Sequence, residues 1–122
     1  MGNTLAIAVG GAGGAVLRYW MVLGVNHLLG RGFPYSILVV NVLGAFLLGL
    51  MHALGSHGIV MSPELRMGIL MGALGAFTTF SAFSFDTLAL LDQGRFVAAG
   101  INVAANVILC VGACWVGFSF SR

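Results

Sequence analysis

The sequence predicts an all-α membrane protein with four transmembrane helices, and three observations carry that prediction. Hydrophobic residues make up 60% of the 122 positions and charged residues only 7%, too little charge to cover the surface of a soluble domain of this size. Apolar stretches of about twenty residues, the length that crosses a hydrocarbon core, recur four times along the chain. Nineteen glycines in so apolar a sequence (mean hydropathy +1.08) fit closely packed helices, because small residues let backbones approach.

The first stretch runs over about 4–24, the second over 35–55, the third over 64–91 and the fourth over 95–119. "GRGFP" at 30–34 breaks the first from the second. "GSHGIVMSPE" at 55–64 separates the second from the third, with Pro63 opening the new helix and Glu64 in its first turn. "LDQGR" at 91–95 supplies the last break. No linker is long enough for a further domain, so residues 1–122 read as one four-helix unit. The opening "MGNTLAIAVGG" has no basic region ahead of its apolar stretch and does not read as a cleaved signal peptide.

Charge is sparse. Five arginines, no lysine and three acids leave a net +2, which is no footprint for nucleic acid. With four spans, Arg66 and Arg122 fall on one side of the membrane and Arg31 and Arg95 on the other. That tie leaves the positive-inside rule without a preference. A chain so balanced is compatible with insertion in both directions and antiparallel pairing, or with orientation set by other signals.

Several polar residues stand inside the apolar stretches. Arg18 lies within the first, beside Tyr19 and Trp20, and either snorkels to an interface or concentrates anions at a vestibule. Gly10 and Gly14 just before it have the GxxxG spacing of helix packing. Asn41 interrupts the second stretch, as an interhelical hydrogen bond or as a donor facing a polar path. Asn102 and Asn106 stand four apart on one helical face that Cys110 continues, and together with Asn41 they outline a polar track. Cys110 and Cys114 lack His or acid partners and read as packing residues. His52 and His57 are placed at the end of the second span and its loop, and His27 in the first loop. Asp86 is the one acid with any depth, so the chain is poor in the carboxylates that proton-coupled carriers use as relays.

"GALGAFTTFSAFSFDT", residues 72–87, is the segment with the most chemistry. Glycine and adjacent threonines are poor helix formers, which places a break near 75–79. Broken helices persist at membrane depth where they are buried in protein or line a watery cavity, and their freed backbone groups bind ions. The competing reading is a continuous helix whose hydroxyls bond back to the preceding turn. Interleaved Phe80 and Phe83 offer positive ring edges to an anion. Thr79, Ser81 and Ser84 add hydroxyl donors without fixed charge. The pattern points to a path for a small, strongly hydrated anion.

This segment, with "GGAGGAVLRYW" at 10–20 and "VNVLGAFLLG" at 40–49, resembles the Fluc (CrcB) fluoride channel family. The resemblance implies a four-helix protomer with its third helix broken, paired antiparallel with an oppositely inserted copy in the bacterial inner membrane. It implies two fluoride pores per dimer, a structural sodium ion at the centre, and passive export that lowers cytoplasmic fluoride. Phe80 and Phe83 match the pore phenylalanines, Asn41 the pore asparagine, and Arg18 the vestibule arginine. Thr79, Ser81 and Ser84 fall in the hydroxyl-bearing stretch. Gly75 and Thr78 match positions whose carbonyls hold the sodium. The sequence departs from the family's pattern at Ala82, at Asp86, and at Asn102, Asn106 and Cys110, where relatives often have other residues. A small proton-coupled multidrug exporter, the leading alternative, requires a carboxylate in the first helix, and that helix carries Arg18 instead. A membrane subunit without a pore would leave the three asparagines without a common face. No nucleophile–base pair or metal cluster suggests an enzyme.

Overall fold

The computed structural model describes residues 1–122. Its helices are α1 (Gly2–Leu29), α2 (Tyr35–Ser56), α3 (Pro63–Met67), α4 (Gly75–Phe77), α5 (Phe80–Asp92) and α6 (Phe96–Ser119), with a wide π-helical segment, Gly68–Leu74, joining α3 to α4. Grouped by length and hydropathy these make four segments able to cross a membrane: Gly2–Leu29, Tyr35–Ser56, Pro63–Asp92 and Phe96–Ser119. The chain is a multi-pass, all-helical membrane protein.

The termini follow local chemistry. α1 runs on to Leu29 and stops where Gly30 takes φ 77°, its N–H closing on the Asn26 carbonyl. His27 therefore lies in the last turn of α1, where a cation would complement the dipole, and not in the loop that the sequence suggested. The apolar run ends near residue 24, but nothing in "VNHLL" stops a helix before the glycine. Pro34 precedes α2. Ser62 caps α3, its hydroxyl accepting the Leu65 N–H at 3.2 Å, with Pro63 at the first helical position. Gly94, at φ 73°, turns the chain into α6.

Two close helix contacts hold the bundle. α2 lies along α6, where a Cβ at Gly49 would overlap the Cys114 carbonyl and one at Gly117 would overlap the Phe46 carbonyl. α1 lies against the π segment, where a Cβ at Gly10 would meet the Gly68 carbonyl and one at Gly14 the Ala73 carbonyl. The GxxxG pair is thus a packing seam, as its spacing indicates. The π segment itself has no counterpart in the sequence reading. Such segments are uncommon and concentrate at functional sites, and this one leads into the break. Only 17 of the 122 residues are buried, so most apolar side chains face outward, toward lipid or toward another chain.

Candidate functional site

The third span is interrupted by two residues. Thr78 (φ −84°, ψ 154°) and Thr79 (φ −155°, ψ 122°) are extended, the conformation that β-branched side chains favour. Asn41 holds them from α2. Its Oδ1 accepts the Thr79 N–H at 2.9 Å and its Nδ2 donates to the Thr79 carbonyl at 3.0 Å. One side-chain amide therefore pairs with both backbone groups of a single residue, as a neighbouring strand would. Gly44, one turn further along α2, leaves room for the Thr78 methyl, which a Cβ there would strike.

The hydroxyls divide between two roles. Thr78 donates back to the Leu74 carbonyl at 3.0 Å, Ser84 to Phe80 at 3.0 Å and Thr87 to Phe83 at 2.8 Å, the back-bonding expected of such residues in apolar helices. Thr79 instead caps α5. Its Oγ1 accepts the Ala82 N–H at 3.2 Å and shares a 3.0 Å hydrogen bond with Ser81 Oγ. The N-terminal end of α5, with its partial positive charge, opens beside these two hydroxyls.

Diverted donors leave carbonyls free. In an unbroken helix the Thr79 N–H would close on Gly75 and the Ala82 N–H on Thr78. Here the first goes to Asn41 and the second to Thr79 Oγ1. Gly75 and Thr78, the pair matched by resemblance to a sodium site, are thus two carbonyls whose helical donors bond elsewhere. No group of three or more His, Cys, Asp or Glu side chains converges in the molecule. Carbonyl oxygens with diverted donors are groups of the kind that can coordinate a monovalent cation.

Two cavities meet at Thr79. A vestibule of about 840 Å³ is lined by Arg18, Arg31, Arg95, Asp86, Ser81 and Thr79, among others. Three arginines against one acid favour anions there. Arg95 donates to the Gly32 carbonyl, tying the α1–α2 loop to the start of α6 and bringing the two loop arginines to one end. On the other side, a more apolar groove of about 430 Å³ is lined by Asn41, Gly75, Thr78, Phe80, Phe83 and Cys110, among others. The two rings sit with centroids 5.2 Å apart at 58°. Phe83 is 8% exposed, whereas Phe80 is 78% exposed and projects from the chain.

Most of the residues singled out by sequence come together around this junction. Asn41, Thr79, Phe80, Phe83, Asn106, Cys110, Gly75 and Thr78 border the groove, and Arg18, Ser81 and Thr79 the vestibule. Ser84 and Asn102 border neither. The three asparagines do share a face: Asn41 Nδ2 lies 3.4 Å from Asn106 Oδ1, and Asn106 Nδ2 lies 3.0 Å from Asn102 Oδ1. Sequence reasoning missed Thr87, which accepts from Asn102 Nδ2 at 3.0 Å, and the vestibule roles of Arg31 and Arg95. Their positions in loops read only as topology signals, and nothing in "SFDTL" distinguishes Thr87 as a partner of α6.

Residues 5–118 match the family described as CrcB-like protein, Camphor Resistance (CrcB). A protein of Geobacter sulfurreducens named fluoride-specific ion channel FluC is 49% identical over 122 residues, covering 100% of this chain and 98% of its own length. Proteins with the same name from Shewanella amazonensis (50% identical, 96% of this chain and 94% of theirs) and Geobacter metallireducens (44%, 97% and 95%) are similarly alike. All three names denote ion channels, not enzymes.

Proposed function

This chain belongs to the CrcB family, and on that premise we propose that it is a passive, fluoride-selective channel. The observation that carries the reading is the junction at Thr79: a basic vestibule, the capped N-terminus of α5 and the Phe80–Phe83 pair lie in sequence around one helix break. Arginines raise the local anion concentration. The Thr79 and Ser81 hydroxyls share one hydrogen bond, so one of their two protons is available to an anion shedding water. The N-terminal amides of α5 and the ring edges continue that replacement without a fixed positive charge to trap the ion. Relatives named fluoride-specific ion channels supply the ion's identity.

The working unit in this reading is an antiparallel dimer of two oppositely inserted copies, each contributing to both of two pores. The arginine tie between the two ends and the exposed Phe80 support it. A structural sodium ion at the dimer centre would be held by the Gly75 and Thr78 carbonyls of both copies, whose helical donors are diverted. Such a channel in a bacterial inner membrane lets fluoride leave down its gradient and lowers the cytoplasmic concentration. The test is release from liposomes loaded with fluoride or with chloride, followed with ion-selective electrodes. Fast fluoride release with little chloride release is the expected result. Equal release of both, or none, would overturn it.

A further inference from the structure

The asparagines of α6 look at first like donors for the ion, yet their polar atoms face each other. Asn102 is 1% exposed and Asn106 6%, and Asn102 borders neither the vestibule nor the groove. Their orientations follow from the break. The Thr79 N–H requires an oxygen and its carbonyl requires a nitrogen, so the Asn41 amide can lie only one way round. Its second Nδ2 hydrogen then needs an acceptor, and Asn106 Oδ1 supplies it at 3.4 Å. That turns Asn106 Nδ2 toward Asn102, where it meets the carbonyl at 2.9 Å and Oδ1 at 3.0 Å. Asn102 Nδ2 in turn donates to Thr87 Oγ1, and Thr87 donates to the Phe83 carbonyl at 2.8 Å.

We propose that Asn106, backed by Asn102 and Thr87, is a positioning residue: it acts on the ion only through Asn41 and the break that Asn41 holds, and not as a ligand. The chain of bonds has one direction and joins the two ends of the same functional segment, the Thr79 peptide and the Phe83 carbonyl. An amide is required at both α6 positions, because each must accept on one atom and donate on the other. Every buried side-chain polar atom of the chain has a partner, and removing one link leaves its neighbour partly unsatisfied, which is costly, so loss of one link loosens the next. The proposal rests on the channel reading for its flux measurements but on hydrogen bonding alone for its structure.

The test combines fluoride release from liposomes with amide hydrogen exchange at Thr79, on the wild type, Asn106→Leu, Asn41→Ala, their double variant and Thr87→Val. Asn106→Leu removes the acceptor while keeping the volume. It is expected to slow fluoride release and to speed Thr79 exchange, each by roughly five- to tenfold, the loss of about one hydrogen bond. In the double variant, release should equal that of Asn41→Ala alone, since a residue acting only through Asn41 adds nothing once Asn41 is gone. Thr87→Val, at the far end, should give a smaller change of the same sign in both readouts. Multiplying effects of the two asparagine changes on release, or Thr79 exchange unchanged in Asn106→Leu, would overturn the proposal. If Asn41→Ala does not fold, the exchange rates of Asn106→Leu and Thr87→Val decide it. A wild type that releases no fluoride would defeat the channel reading while leaving the exchange result to judge the positioning role.

Discussion

Replacing Thr79 with valine isolates one hydroxyl at the centre of the site. Valine has the same branched shape and the same preference for extended backbone, so the break should persist. The Asn41 clamp is also untouched, because it engages only the Thr79 N–H and carbonyl. Two interactions go: the Ala82 N–H loses its acceptor at 3.2 Å, and Ser81 loses its hydroxyl partner at 3.0 Å. Losing a helix cap costs about 1 kcal/mol and losing the second hydrogen bond about 1 kcal/mol more, with the sum an upper figure because the two share an atom. Where that loss falls on the ion-occupied state, fluoride release slows by roughly ten- to thirtyfold, at about 1.4 kcal/mol per factor of ten. Thr79→Ser keeps the oxygen and should remain within about threefold of the wild type. Liposome release measured at matched protein content compares the three. Wild-type release from Thr79→Val, or equal damage from valine and serine, would refute the assignment of this hydroxyl to the path.

The phenylalanine pair predicts that Phe80→Ile and Phe83→Ile each cut fluoride release sharply while the protein still elutes as a folded species in detergent. Phe83→Ile, whose ring is 8% exposed, should lower the unfolding midpoint of the protomer more than Phe80→Ile, whose ring is 78% exposed on the single chain. Gly14→Val drives a side chain into the Ala73 backbone carbonyl and should cost about 1–3 kcal/mol, read as a lower unfolding midpoint. Gly13→Val, which meets nothing within 4 Å, should not change it. Arg18→Gln removes one of three vestibule arginines and should slow release roughly two- to fivefold at low ionic strength. The deficit should shrink at about 1 M salt, where screening is nearly complete.

The parts of this molecule that were legible in sequence are those set by local chemistry. Four apolar runs and their Gly and Pro punctuation located the spans, because membrane length and backbone conformation act residue by residue. The break was legible too, since adjacent threonines after Gly75 disfavour helix on their own account. What could not be read was who pairs with whom. Asn41 reads equally as a packing amide and as an ion donor, and in the structure it clamps Thr79, with both Nδ2 hydrogens engaged by protein. Thr87 gained its role only from the way α5 lies beside α6. The π segment at Gly68–Leu74 likewise arises where the third span presses its backbone on α1, a long-range contact that no local pattern announces.

The central claim is passive and selective passage of fluoride, and the reversal potential of the current across a planar bilayer tests it most directly. With a tenfold fluoride gradient and symmetrical chloride and pH, the account predicts reversal at the fluoride equilibrium potential, about 59 mV from zero. An imposed pH gradient should not move it. Reversal that follows a chloride gradient, or that shifts with a proton gradient as a coupled exporter would require, would contradict the account.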